Sequence, residues 1–209
     1  DNLGRVDTTN MSLIIGLIGK DGIVLATDSR LTTTTTSGDG KTHSDDYIKL
    51  WSIGELGIAS CGNYAGYESE IVERFKQNYS KEDDYNKLVE RFIESVRVDL
   101  NKALISFFTS QENKIPHPPE LVFILAGYQY GIPTMKYIEW NLKQPIPLVR
   151  NSQKGCYSSG LWTISDYWTK KFKSVLPFME LQYLKKFAAF LICESMYFDG
   201  VGTPLQMIT

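Results

Sequence analysis

Ser12 and Asp28 are a hydroxyl and a carboxylate that could do chemistry, set at the two ends of one apolar hairpin. In "MSLIIGLIGKDGIVLATDSR", residues 11 to 30, an almost wholly apolar run holds a hydroxyl near one end and a carboxylate near the other. Lys49 follows in "YIKLW", at the head of the next apolar run. An alcohol is a poor nucleophile until a neighbouring base takes its proton, so chemistry at Ser12 would need such a group beside it. Each also has a plainer reading. Ser12 begins a strand, Asp28 starts a turn with Ser29 and Thr32, and Lys49 is an edge lysine whose stem lies on apolar surface while its ammonium reaches water.

Other chemistries find less material. Lys and Arg number 22 against 24 Asp and Glu, a net charge of -2, so no basic excess awaits nucleic-acid phosphates or an anionic membrane. His43 stands in a Gly/Asp/Thr-rich stretch and His117 inside "IPHPPE"; no His, Cys and carboxylate cluster has metal-ligand spacing, and neither metal nor cofactor is expected. Cys61, Cys156 and Cys193 are odd in number and far apart, which reads as free buried thiols in a reducing compartment. No stretch approaches the roughly 18 apolar residues of a membrane span, and "DNLGRVDTTN" is too polar for a secretory core. The expectation is a soluble cytoplasmic protein.

The elements that must position the three residues fit one domain of 209 residues. Residues 12 to 18 and "IVLATDS", joined by "GKDG", predict a hairpin buried on both faces. "LTTTTTSGDGKTHSDD", 31 to 46, has almost nothing to bury and predicts a mobile loop or ribbon. "YIKLWSIG" and "LGIASCG" form a second hairpin across Gly54 and Glu55. Ile71, Val72 and Phe75, then Leu88, Phe92, Val96, Leu100 and Leu104, recur at helical spacing. Three prolines within four residues of "NKIPHPPE" end that helical stretch. "LVFILAGYQ" and "TMKYIEW" are strands with Pro133 in the turn between them, and "QPIPLV" and "KGCYSSG" are shorter ones. Helical stretches over 161–174 and 178–197 meet at Pro177, and "TPLQMIT" reads as an edge strand. Strands in blocks followed by helices in blocks predict antiparallel sheets under helix layers: two sheets face to face, with a helical pair outside each.

Four pieces then carry a family resemblance: "GKDGIVLATDSR", "YIKLWSIGELGIASCG", "FILAGYQ" and "FDGVGTPLQM". In that order, over roughly Ser12 to Thr209, the chain resembles the β-type subunits of the proteasome, within the N-terminal-nucleophile hydrolases. The resemblance implies an α+β fold, a four-layer αββα sandwich of two antiparallel sheets flanked by helix pairs. It makes 12–209 a single domain behind an extension, propeptide or leader of residues 1–11. It implies a peptide or protein substrate, homo-oligomer or ring partners, and no cofactor. Ser12 falls at the nucleophile position, where the residue's own α-amine helps accept the proton. Asp28 matches the Asp beside that amine, Lys49 the Lys whose ammonium lowers the nucleophile's proton affinity, and Gly62 the Gly whose N–H faces the oxyanion. Ser159 in "YSSG" and Asp199 in "FDGVG" match the supporting Ser and Asp. Leu31, Tyr47, Ser60, Tyr64 and Glu68 fall around the specificity pocket, where two Tyr and a Glu suit a mid-sized or basic side chain.

The chain departs from the family pattern in four places. Ser stands where Thr is usual, without the methyl that restricts the rotamer. Eleven residues precede it, so its nitrogen is an amide with no basicity, and the site as written is a precursor or blocked. Met11 replaces the Gly before the cleavage point, which also fits a translation start, and the second supporting Ser appears as Gly202. Beside a peptidase, two other functions therefore stand: an amidohydrolase or transpeptidase acting as a small oligomer, and a non-catalytic ring subunit. For the last, Tyr167, Trp168, Phe172, Phe178 and Tyr183 would be interface; the expectation is that they are core.

Overall fold

A computed structural model describes residues 12–34, 41–62, 67–109, 120–141, 144–152, 155–160, 162–197 and 201–209. The apolar runs on either side of "GKDG" become β1 (Leu13–Ile18) and β2 (Ile23–Thr27), a hairpin in which every strand residue is buried. The Thr-rich stretch is the ribbon alternative: β3 (Leu31–Thr34) pairs with β4 (Lys41–Ser44) in a two-stranded sheet of its own. β5 (Leu50–Ile53) and β6 (Leu56–Gly62) form the second hairpin. α1 (Tyr67–Asn78) and α2 (Tyr85–Thr109) follow. Then come β7 (Leu121–Gln129), β8 (Ile132–Asn141), β9 (Gln144–Ser152) and β10 (Gly155–Gly160). α3 (Trp162–Phe172), a 3-10 turn at Leu176–Phe178, α4 (Leu181–Ser195) and β11 (Gln206–Ile208) complete the chain.

The turn between β7 and β8 is Tyr130–Gly131, not Pro133. Both residues have positive φ, 54° and 76°, the left-handed pair that suits a two-residue hairpin. Pro133 lies inside β8 opposite Tyr128, and β9 pairs with β8 only from Met135 onward, so the missing N–H removes no ladder bond on that side.

The strands form antiparallel sheets of order β10-β1-β2-β11 and β5-β6-β7-β8-β9, besides the β3-β4 ribbon, so the fold class is α+β. Apolar residues gather in three clusters. Phe75, Leu88, Phe92 and Val96 of α1 and α2 meet Ile58, Phe123 and Trp140 of the five-stranded sheet. Leu184, Leu191 and Ile192 of α4 meet Leu13, Ile15, Leu17 and Val24 of the four-stranded sheet. Ile14 and Leu25 of that sheet meet Ala59, Ile124 and Met135 of the other. Period-2 alternation thus sends the odd residues of β1 to the helix side and the even ones between the sheets. Gly16 belongs to the even set: a Cβ there would stand 2.7 Å from Met135 Sδ and 3.0 Å from Ile124 Cγ2, so its absence sets how closely the sheets approach. Ser12 shares this parity, at the mouth of the intersheet space.

Two expectations about burial are corrected. Cys61 is buried and Cys156 half-buried, but Cys193 is exposed, next to the buried Leu191 and Ile192 on α4. Trp168 and Phe172 pack against the α4 cluster, whereas Tyr167 and Tyr183 are 54% and 52% exposed, because only one face of α3 and α4 meets the sheet, and Phe178, in the 3-10 turn between the helices, is 77% exposed. Among the described residues no helix is long and apolar enough to cross a membrane.

Candidate active site

The β1–β2 register puts Ile14 opposite Thr27, so the residues just outside the ladder, Ser12 and Asp28, reach the same rim. Two main-chain contacts fasten that rim. Leu13 N donates to Asp28 Oδ1 at 2.9 Å, and Asp28 N donates to Leu13 O at 3.3 Å. Arg30 N donates to Asp28 Oδ2 at 3.0 Å, closing the side-chain turn that Asp favours two residues upstream of an amide. Gly202 N approaches the same oxygen at 3.4 Å.

Lys49 arrives from the other sheet, in the extended segment leading into β5. Ser60 N donates to its carbonyl at 3.0 Å. Gln206 of β11 holds the segment from the opposite side: its Oε1 accepts from Lys49 N at 3.1 Å and its Nε2 donates to Tyr47 O at 2.7 Å. The ammonium of Lys49 then reaches Ser12 Oγ at 2.8 Å, both Asp28 carboxylate oxygens at 3.1 Å, and Arg30 O at 2.5 Å. An ammonium has three N–H groups. One is shared by the carboxylate oxygens, one goes to the carbonyl and one to the hydroxyl. The Lys49 and Asp28 side chains are 3% and 0% exposed, so this is a buried, fully partnered ion pair.

Burial pushes the Asp28 carboxyl above the usual carboxylate range; the Lys49 charge, the Leu13 amide, the hydrogen bond from Lys49 and the Arg30 amide all pull against it. The N–H that Lys49 directs at Ser12 Oγ is aimed where negative charge grows when the hydroxyl loses its proton, and in a dry site such a donor is worth most. The arrangement can therefore stabilise an alkoxide or an attacking oxygen. Among the described residues no group of three or more His, Cys, Asp or Glu could hold a metal ion.

The remaining candidates occupy several places. Gly62 ends β6 opposite Leu121, and a Cβ there would collide with the Glu120 carbonyl. Ser159 lies opposite Ile14, and its hydroxyl shares hydrogen bonds with the Cys61 thiol and the Tyr137 hydroxyl; none of its described contacts is with Ser12, Asp28 or Lys49. Burial pushes the Cys61 thiol up to about 12, which keeps it protonated and unreactive. Leu31 opens β3 directly after Arg30 and is half-buried. Tyr47 places its hydroxyl 3.2 Å from Ser69 Oγ and hydrogen-bonds the Glu68 carboxylate. Glu68 is 4% exposed on the same face of α1 as Ile71, Val72 and Phe75, and its Oε2 has no hydrogen-bond partner. Burial raises its carboxyl, against its own backbone N–H and the Tyr47 hydroxyl. Ser60 Oγ is buried without a partner as well, and alternation with Ile58 turns it toward the helix-covered face of the sheet. Tyr64, Asp199 and His117 lie outside the described residues.

Three participants escaped the sequence reading. Arg30 contributes an amide to Asp28 and a carbonyl to Lys49, and its spacing from Asp28 was the available signal. Gly202, noted only for lacking a hydroxyl, brings its N–H. Gln206 gave no signal, because its partner is 157 residues away.

No protein-family model matches the sequence, and no curated protein matches it. Solved structures do. Anbu from Hyphomicrobium sp. strain MC1, in its Gly-1 mutant form, is 16% identical, with TM-score 0.64 over 94% of this chain and 80% of that one. A further structure of Anbu from the same strain gives TM-score 0.60 at 16% identity over 93% and 80%. Anbu from Yersinia bercovieri, described as an ancestral β-subunit, gives 0.64 at 17% over 94% and 80%. At these identities the likeness is one of fold, and over nearly all of its length this chain folds as the Anbu structures do.

Proposed function

We propose that the chain is a proteasome-like N-terminal-nucleophile hydrolase that cleaves peptide bonds, its sheets and helices layered as an αββα sandwich over residues 12–209. The observation that carries the proposal is the buried Lys49–Asp28 pair whose ammonium lies 2.8 Å from Ser12 Oγ. Once residues 1–11 are removed, the Ser12 α-amine accepts the hydroxyl proton, directly or through water, as Oγ bonds to the substrate carbonyl carbon. The Lys49 ammonium and the Gly62 N–H take up the charge on the two oxygens. Collapse breaks the C–N bond, the leaving amine receives the proton, and water then releases the acyl group from Ser12. By the family resemblance Asp199 supports the amine, whereas Ser159, hydrogen-bonded to Cys61 and Tyr137, stands behind the site. Leu31, Tyr47, Ser60, Tyr64 and Glu68 surround the side chain on the acyl side of the bond, and the unpartnered Glu68 oxygen favours a basic one.

The test exposes Ser12 as the first residue and compares hydrolysis of fluorogenic peptides with Ser12→Ala. Turnover lost in the variant supports the proposal; equal rates refute it. The exposed Tyr167, Phe178 and Tyr183 favour a second reading, a non-catalytic subunit of an assembly, which predicts no turnover but a stable oligomer by light scattering.

A further inference from the structure

Arg30 and Asp45 form a two-pronged ion pair directly behind the candidate site. Arg30 Nε donates to Asp45 Oδ1 at 2.7 Å and Nη2 to Oδ2 at 3.2 Å, the fork that holds a guanidinium in one orientation. The pair spans the two segments that meet at Ser12. Arg30 ends the turn begun by Asp28, while Asp45 opens the stretch that runs through Tyr47 to Lys49. The same arginine's main chain touches both charged groups, its N–H on Asp28 Oδ2 and its carbonyl on Lys49 Nζ. Any swing of residue 30 therefore moves the acceptor that aims the ammonium and the donor that aims the carboxylate.

Gly202 closes the arrangement from the third side. A Cβ on it would overlap Arg30 Nε and stand 2.7 Å from Asp45 Oδ1. Gly202 is not among the glycines with positive φ, so its backbone is one that any residue adopts, and only space excludes a side chain. The guanidinium fills the volume that a side chain at 202 would need, and the Gly202 N–H is brought to Asp28 at 3.4 Å in consequence.

We propose that the Arg30–Asp45 pair is a positioning clamp for the Asp28–Lys49 couple, and that residue 202 must lack a side chain for the clamp to close. The inference deepens the hydrolase reading and rests on it for its kinetic consequence alone. Arg30 and Asp45 are positioning residues: their charged ends touch neither Ser12 nor the Lys49 amine in the described contacts. At 24% and 42% exposure the pair adds little to global stability, so its effect is local. It also runs against the family pattern. Installing the second supporting hydroxyl by Gly202→Ser displaces the guanidinium and impairs the site instead of completing it.

The experiment compares the chain beginning at Ser12 with Asp45→Ala, Asp45→Glu and Gly202→Ser, reading amide hydrogen exchange at Arg30 by NMR alongside melting temperature and peptide kinetics. The clamp predicts roughly tenfold or faster exchange of the Arg30 amide in Asp45→Ala and Gly202→Ser at unchanged melting temperature, a local opening. It also predicts kcat falling about tenfold or more with KM unchanged, and recovery of both in Asp45→Glu. Unchanged Arg30 exchange in Asp45→Ala, or Gly202→Ser with kcat at or above that of the parent, overturns the clamp. Faster exchange in a protein that hydrolyses nothing leaves the clamp standing and refutes the hydrolase reading.

Discussion

In the proposed hydrolase Lys49 is the residue on which the chemistry would turn, and its surroundings are matched to an ammonium. Three N–H groups meet a carboxylate, a carbonyl and a hydroxyl, with the lysine and aspartate side chains themselves buried. Lys49→Arg keeps the charge but replaces a point donor by a planar fork that cannot make the same three contacts. Turnover is expected to fall about 10²–10³-fold, the usual loss when an oxyanion-side donor is removed, with circular dichroism unchanged. Lys49→Ala strands a buried carboxylate, a loss of about 3–5 kcal/mol where the charge persists. Protonation of Asp28 relieves part of that loss, so the Lys49→Ala, Asp28→Asn double variant should unfold at higher denaturant than Lys49→Ala alone. The Asp28 carboxyl also sets a pH dependence. Its folded pKa is raised above 3.8, so its favourable contribution to stability is complete below that value and is lost as pH rises through the folded pKa. Activity runs the other way, because the ionised form holds Lys49. Lowering pH through the raised pKa should therefore cut kcat while the stability difference between the parent and Asp28→Asn moves in the parent's favour, seen by pH-dependent kinetics and urea titrations. An acid limb at the ordinary carboxylate value would show that burial does not raise this group.

At the scale of elements, the strands that carry the site were legible in the sequence because their cause is local. The apolar runs around "GKDG" and around Gly54–Glu55 have only one way to pair, and β1–β2 and β5–β6 are those hairpins. The Pro133 turn was misread because the stronger signal, Gly131 with a positive φ at the tip, lies two residues earlier. What the sequence hides is nonlocal: Gln206 bridging Tyr47 and Lys49, Gly202 against Arg30, and Ser159 turned to Cys61 and Tyr137. Each depends on a separation of three-dimensional neighbours that no periodicity encodes. α1 shows both sides of this. Its stripe predicts Ile71, Val72 and Phe75 as core, yet the same face begins with Glu68, buried with one oxygen unpartnered. A buried carboxylate without a full set of partners costs stability unless a ligand completes it. Glu68→Gln is expected to lower kcat/KM for peptides with Arg or Lys on the acyl side of the cleaved bond by about tenfold or more, roughly 1.4 kcal/mol or more, while peptides with Leu there change little. Equal losses for both classes would mean that Glu68 does not read the side chain.

The whole molecule enters through the distance between its two sheets. Ser12 hangs from β1 and Asp28 from β2, in the four-stranded sheet, whereas Lys49 precedes β5 in the five-stranded one, so the 2.8 Å contact at the rim is an intersheet distance. The packing that sets this distance lies deeper, where Gly16 faces Met135 and Ile124 with no room for a Cβ. Dense interiors transmit such a change instead of absorbing it. Gly16→Ala is expected to cost about 1–3 kcal/mol by overpacking and to lower kcat by a larger factor than the stability loss alone explains, because a displacement near 1 Å at reacting atoms is worth about 10²-fold. Met135→Ala alone opens a cavity and costs about 2–5 kcal/mol. Together the two changes compensate, since the new methyl occupies part of the space that the thioether leaves. The double variant should therefore recover both melting temperature and kcat relative to the sum of the single effects, a coupling measurable in a double-mutant cycle. Strict additivity would place the control of the Ser12–Lys49 distance in the rim contacts around Arg30 and Gln206, and not in the intersheet core.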